Sequence, residues 1–598
     1  MEKVTNSRVK QKLINTGIYA TAIIIITAFL WRIQCSISYY DEVYNIYISY
    51  ITAALGQRHL VENSYIFSMG DLFNLPFVYL FYRITGGTEG IVLFIRFAYL
   101  GFNLILSAVF FKAFGKTYEK RIMVLFGLIL ITLFPGGMYT ICYDTAALFF
   151  SLMGGILLLG SELRSNKSAG IYRYFAGICH ACMAYSYPLM VGVIFLLVVG
   201  VTVFHICDKK IKGRDLIHYW LPYFAGGMTV FGIFLIYVAL VGWKNIFFLK
   251  PGFLQNGLEG REIAEIASIA SSEGSSVSST ALPNVVDSPV VAIIKKIGNQ
   301  VFAIFNYMWI QQKATLGLTL MMLVQWGIGL IKKGRWRLLI IPEILLVAFF
   351  MHTKISCYGG TTMYAYCCCW APFLLLYLNR EERRKGNLIF LILGIISIAS
   401  FLAIGFTSVR TDKAHVGLYC GAICTFLLMI MLVKDKYLAG ISMSAIVILL
   451  IAVCNTGMSY IDHFQGADIS DCTYRMQKGI FKGLMTWEAD IQYEELKTCL
   501  ENELSGNDNV ISITDWNYYS VGLDGNSLVE RGNMLYLEEQ IQSNGNAEEV
   551  YKKNKWPEAV LIDKVNEGNY TNVKEEILER HYELLLSEYD YYLYIKRD

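Results

Sequence analysis

Three stretches of this chain, Thr16 to Trp31, Ile122 to Phe134 and Val191 to Phe204, contain no charged residue. With its flanks, each approaches the roughly 20 residues that a helix needs to cross about 30 Å of hydrocarbon. In lipid the backbone must satisfy its own polar groups, so such runs fold as helices. The composition agrees, because 55% of the 598 residues are hydrophobic and only 17% are charged, where a soluble domain carries about 25% charged residues. A mainly α, polytopic membrane protein is the expectation.

The net charge of +3 hides a division. Residues 457–598 hold 13 Lys+Arg against 27 Asp+Glu, a net of −14, which leaves +17 on residues 1–456. A basic, apolar 1–456 joined to an acidic, less apolar 457–598 predicts two domains. The basic residues form short clusters between apolar runs, so no nucleic-acid partner is expected.

Hydropathy predicts about 13 spans: 15–33, 89–111, 121–139, 145–161, 171–187, 189–206, 217–241, 314–331, 337–352, 366–379, 388–406, 416–433 and 438–456. Alternate loops carry Lys112/Lys116/Lys120/Arg121, Arg164/Lys167/Arg173, Lys209/Lys210/Lys212/Arg214, Lys332/Lys333/Arg335/Arg337, Arg380/Arg383/Arg384/Lys385 and Lys434/Lys436. That alternation follows the positive-inside rule and places the N-terminus in the cytoplasm. An odd number of spans then puts the acidic tail outside the cell membrane.

Two long loops share that outer side. Residues 34–88 contain two semi-apolar stretches, Asn45–Leu55 and Leu72–Ile84, expected as helices lying in the interface. Residues 243–313 contain an amphipathic helix and a Ser-rich tract at 261–280, a candidate lid. In the tail, Glu488–Leu504 and Val573–Arg580 have helical patterns, while Val510–Asp515, Ala559–Asp563 and Tyr591–Ile595 read as extended. A small extracytoplasmic α/β domain is expected there. Its cysteines, Cys472 and Cys499, are candidates to pair in an oxidising space. A lone CxxC, Cys179-His180-Ala181-Cys182, lies inside an apolar helix and reads as packing.

The residues suited to chemistry begin directly after the first span, with Ser38-Tyr39-Tyr40-Asp41-Glu42-Val43-Tyr44. Adjacent carboxylates at a lipid boundary are costly to desolvate and need partners. Asp144 opens the fourth span, where its plainest role is helix capping. Arg96 lies within the second span and requires an anion, from the protein or from a bound phosphate.

In order and spacing, Asp41-Glu42, Pro76, Arg96 and Asp144 resemble the GT-C membrane glycosyltransferases, especially the branch of the protein O-mannosyltransferases and the lipid A aminoarabinose transferase. Gly177 to Pro188 resembles the Gly-rich fifth span of that family, with Ser186 where a Lys often stands. Met351-His352-Thr353-Lys354, Tyr364-Ala365-Tyr366 and Pro372 are similar to its outer basic-then-Tyr segment. Gln477 to Gly483 resembles a segment that follows the last span in some bacterial relatives. The resemblance covers about the first 210 residues closely and the later spans by topology.

What the resemblance implies is a polyprenyl-phosphate-sugar donor and transfer to an acceptor hydroxyl on the outer face. Asp41 would be the general base, Glu42 would support it or position the acceptor, and Asp144 would orient the sugar or acceptor. Arg96, His352, Lys354, Tyr364, Tyr366 and Arg410 would hold phosphate or pair with the acids. Some relatives use a divalent metal, which here would sit on Asp41 and Asp144, and no other cofactor is implied. The acceptor stays open between a surface glycan, a lipid and a protein. Two other readings stay open as well: a lipid or polysaccharide transporter or flippase, and a silent scaffold of the same fold. Transporters commonly carry internal repeats and midplane ionisable residues, whereas this chain shows no repeat and keeps its acids at outer helix ends.

Overall fold

The computed structural model describes residues 2–246 except 38–40, 55, 57–69, 71, 116–119, 133–138, 165 and 209–212, then 380–404, parts of 420–431 and, with interruptions, 471–597. Nine helices are described up to residue 241: α1 (Glu2–Arg32), α2 (Asp41–Ala53), α3 (Leu75–Thr85), α4 (Ile91–Phe114), α5 (Lys120–Ile131), α6 (Tyr143–Glu162), α7 (Asn166–Ser186), α8 (Met190–Cys207) and α9 (Gly213–Val241). By length and composition α4, α6, α8 and Asp215–Val241 are long and apolar enough to cross a membrane, and Thr16–Arg32 is a shorter apolar helix. Large apolar side chains cover the outside of the bundle: Ile24 is 67% exposed, Phe195 65% and Leu240 81%. Apolar surface on that scale has no place in water, and the chain is a membrane protein.

α6 forms the centre of the bundle, and glycines let its neighbours approach. A Cβ on Gly154 of α6 would collide with the His180 imidazole of α7. On the crossing of α7 and α9, a Cβ on Gly177 would strike the Tyr223 carbonyl, and one on Gly226 would strike that of Tyr174. Close backbone approach through small residues is how helices associate in lipid, where burial from water supplies no drive. The CxxC segment belongs to this packing. Cys179 and Cys182 are buried, and His180 shares a 2.8 Å hydrogen bond between its Nδ1 and the Tyr223 hydroxyl. A further helical segment, Arg380–Ile389, passes through a π turn at Phe390–Gly394 into Ile395–Ile404 and packs on α6 and α8.

The two stretches expected as helices in the first loop are helical in α2, which starts at Asp41 and not at Asn45, and in α3. α3 starts at Leu75 rather than at Leu72, with Pro76 in its first turn, where the fixed φ and missing N–H of proline suit a helix start. α5 is described only to Ile131, and the Pro135-Gly136-Gly137 turn lies outside the described residues.

In the tail, a short hairpin of β1 (Tyr474–Arg475) and β2 (Met485–Thr486) precedes a helix, Ile491–Glu503. A five-stranded sheet follows, made of β3 (Asn509–Ile513), β4 (Ser527–Leu528), β5 (Ala559–Asp563), β6 (Tyr582–Leu586) and β7 (Tyr591–Lys596) in the order β4-β3-β5-β7-β6. β3 is parallel to β4 and β5, while β7 is antiparallel to β5 and β6. Successive side chains on a strand face opposite sides, and β5 shows it. Ala559 and Leu561 pack with Leu496 and Leu500, while Val560 and Ile562 pack with Val550, Trp556 and Ile577. Cys472 and Cys499 form no disulfide with each other.

Candidate active site

The site is built where α1 ends, α2 begins and α4 begins. Asp41 is the first residue of α2, and its side chain lies outside the described features. Glu42 is fully buried and forms a fork with Arg96 of α4, which is 2% exposed. Arg96 donates from Nη2 to Oε2 at 2.5 Å and from Nε to Oε1 at 3.2 Å. Paired parallel bonds of this kind are the strongest carboxylate–guanidinium geometry. Arg96 Nη1 also donates to the carbonyls of Ile33 at 2.9 Å and Cys35 at 3.1 Å, so the end of α1 is tied to the same guanidinium.

The backbone N–H of Tyr139 donates to Glu42 Oε1 at 3.1 Å. Its ring lies 5.6 Å from the Arg96 guanidinium and 5.2 Å from that of Arg32, an arrangement that favours cations over an aromatic face. Arg32, itself buried, donates to the Cys35 carbonyl at 3.0 Å. Two guanidiniums, one carboxylate and one aromatic ring thus share a buried cluster. Arg32 and Tyr139 were not legible as members of it, since a span-end arginine and a loop tyrosine carry no local signal for it.

Asp144 follows on the chain segment that Tyr139 anchors, and it is 4% exposed in the first turn of α6. It does not cap that helix. The N-cap is Cys142, whose N–H donates to the Thr145 hydroxyl at 2.7 Å in a reciprocal capping box. A carboxylate in a first turn is still favoured by the helix dipole. Nearby, Gly70 of the first loop lies against the backbone of Tyr143, where a Cβ would collide, and the Tyr143 ring is 6.2 Å from that of Tyr187. The segments that carry Asp41 and Asp144 are therefore drawn together through Glu42 and Tyr139. Ser186, which stands where the resembled family often has a lysine, donates its hydroxyl to the Cys182 carbonyl at 2.9 Å.

The tail closes this cluster from the other side. Ser36 N–H donates to the Met485 carbonyl at 2.7 Å, and Met485 N–H donates to that of Gln34 at 2.7 Å. Gly90 and Val92, which lead into α4, donate to the carbonyls of Gly479 at 2.9 Å and Ile480 at 3.3 Å. Met476, Ile480, Phe481 and Leu484 are buried with Val43, Ile46, Ile91 and Ile95 in one apolar cluster. Gly479 and Gly483 turn the hairpin with φ of +71° and +89°, a conformation that suits glycine. The segment Gln477 to Gly483 is thereby explained as the part of the tail that touches both α2 and α4.

His352, Lys354, Tyr364, Tyr366, Arg410 and the 261–280 segment lie outside the described residues. Among the described residues no group of three or more His, Cys, Asp or Glu is placed to hold a metal ion.

No protein-family model matches the sequence, and no curated protein does. Solved structures similar in fold include ArnT from Cupriavidus metallidurans, both in the apo state and bound to undecaprenyl phosphate. The apo structure has a TM-score of 0.46 at 9% identity, covering 97% of this chain and 98% of that one. The bound form gives 0.44 at 10% identity, covering 97% of each chain. The archaeal oligosaccharyltransferase AglB from Archaeoglobus fulgidus, in complex with an inhibitory peptide and a dolichol-phosphate, gives 0.45 at 11% identity. It covers 96% of this chain and 74% of that one.

Proposed function

We propose that this protein is a membrane glycosyltransferase that moves a sugar from a polyprenyl-phosphate-linked donor to an acceptor hydroxyl on the extracytoplasmic face, with inversion. The observation that carries the reading is the buried fork between Glu42 and Arg96. It spends Glu42 on the protein and leaves its neighbour Asp41, at the start of α2, as the carboxylate available for chemistry.

The reaction needs little else. Asp41 takes the proton of the acceptor hydroxyl as its oxygen bonds to the anomeric carbon. The bond from that carbon to the phosphate oxygen breaks, and the lipid phosphate leaves with the electron pair. A phosphate needs no general acid to leave, unlike the leaving groups of glycosidases, which use paired carboxylates. Asp144 orients the sugar or acceptor. His352, Lys354, Tyr364, Tyr366 and Arg410 are the candidates to meet the phosphate, where cations stabilise the charge that builds as the bond breaks. Arg96 acts through Glu42 rather than on phosphate. Where a divalent metal takes part, Asp41 and Asp144 would hold it.

Asp41→Asn in a reconstituted transfer assay tests the reading. A positioned base is worth about 10²–10⁴ in rate, so turnover should fall by that order. Turnover at the wild-type rate overturns it.

A further inference from the structure

Buried polar side chains almost always find a partner, and leaving one without costs about 1–3 kcal/mol. Beside the Glu42–Arg96 cluster two side chains break that rule. Asn74 is 0% exposed, and neither Oδ1 nor Nδ2 has a hydrogen-bond partner among the described residues. Thr140 is 0% exposed, and its Oγ1 has none either.

The fold does not use either polar group. Asn74 occupies the N-cap of α3, yet its side chain caps nothing, and its backbone carbonyl takes the N–H groups of Phe77 and Val78. Thr140 contributes its carbonyl to the Thr145 hydroxyl at 2.7 Å, which any residue would supply. A leucine and a valine would fill these places without the desolvation cost.

The two residues belong to one neighbourhood. Asn74 lies between Phe73 and Phe77, and Thr140 between Tyr139 and Ile141. Tyr139 and Ile141 belong to one apolar cluster with Phe29, Ile33 and Tyr99, and Phe73 and Phe77 pack against it. Phe73 also reaches α6, its ring 4.6 Å from that of Phe150. Thr140 is next to the residue whose N–H holds Glu42 and precedes Asp144 on the same strand of chain. An amide offers both donors and an acceptor, and a hydroxyl offers one of each. Neither carries charge, so the pair suits a neutral polyol rather than a phosphate.

We infer that Asn74 and Thr140 form a subsite for sugar hydroxyls, with Asn74 and Thr140 each hydrogen-bonding a hydroxyl of the bound carbohydrate. The inference rests on the transferase reading above. The hydroxyls belong either to the sugar of the lipid-linked donor or to the acceptor, and the experiment separates these sources.

The full chain is reconstituted as wild type, Asn74→Leu, Thr140→Val and Thr140→Ser. Without ligand, Asn74→Leu and Thr140→Val should unfold at the wild-type temperature or above it, because a desolvated polar group is gone. Their transfer should fall through a KM raised about tenfold per lost hydrogen bond, while Thr140→Ser, which keeps the hydroxyl, stays near wild type. Binding is read by thermal shift with undecaprenyl phosphate alone and with a panel of undecaprenyl-phosphate hexoses. If the donor sugar is the source, the variants lose the extra shift that the hexose gives over the bare lipid. If the acceptor is the source, that shift survives and the KM for the acceptor rises instead. Variants that are less stable yet keep both KM values and the hexose shift overturn the subsite. Should the wild-type chain neither bind nor transfer any lipid-linked hexose while Asp41→Asn behaves identically, the transferase reading itself fails, which is a different result.

Discussion

Glu42 and Arg96 lie 54 positions apart in sequence and meet in a bidentate pair buried from the surface. Removing one member strands the other as a buried charge, which costs about 3–5 kcal/mol, whereas removing both is far milder. Glu42→Gln and Arg96→Met should therefore each destabilise the protein by that order, and the double variant by much less than the sum. Thermal unfolding of the four proteins in a double-mutant cycle checks this, and additive losses would show that the two side chains do not act as a unit.

Ser36 has φ of +68°, the left-handed region that a non-glycine residue occupies only under strain of about 1–3 kcal/mol. Its position is fixed by the bond from its N–H to Met485. Ser36→Gly should raise stability by about 1 kcal/mol, after the added backbone entropy of glycine is subtracted. A lower unfolding temperature for this variant would contradict the account.

The hairpin of the tail should govern the start of α4. At Gly479 an added Cβ would stand 2.8 Å from the Tyr493 ring, on a backbone with φ of +71°. Gly479→Ala should weaken the protein by about 1–3 kcal/mol. It should also speed hydrogen exchange at the amides of Gly90 and Val92, which donate to Gly479 and Ile480. Unchanged exchange at those two amides would separate the hairpin from the site.

Burial pushes the Cys35 thiol up to about 11 from an ordinary 9.0, against the opposing pull of Arg32. A thiol held neutral in the fold favours the folded state fully below pH 9.0, and that contribution fades as pH rises from about 9 to about 11. Cys35→Ala should lack this component. The unfolding temperatures of wild type and variant, followed from pH 8 to 11, should converge toward the alkaline end if the thiol behaves so.

Local pattern carried most of what was legible. The apolar runs gave α4, α6, α7, α8 and α9 to within a few residues, because lipid imposes length and composition together; for α1 they gave only the far end, since the helix starts at Glu2 and not at the expected 15. In the tail, the expected extended segment Ala559–Asp563 is β5 with the same limits, and the other segments were found nearby. β6 escaped because Tyr582–Leu586 carries little alternation, its Leu585 and Leu586 both being half-buried. At the site, the sequence required an anion for Arg96 but could not choose between a phosphate and a carboxylate; the choice of Glu42 is a tertiary fact. Asp144 suggested a cap by residue type, and the fold gave that task to Cys142. Arg32, Tyr139, Asn74 and the hairpin's seat were illegible for one reason. Each takes its meaning from a contact between distant parts of the chain, and no periodicity records that.

The hairpin's two-sided hold also sets an order of maturation. Ser36, Gly90 and Val92 leave the ribosome long before the carbonyls that accept their amides, on Met485, Gly479 and Ile480, which follow about 400 positions later. Until those arrive, the early segments must remain solvated by headgroups or water. The acid–guanidinium cluster thus gains its cover only once the chain has been made past Met485, so a product terminated before the hairpin would carry the cluster with those backbone amides unpaired.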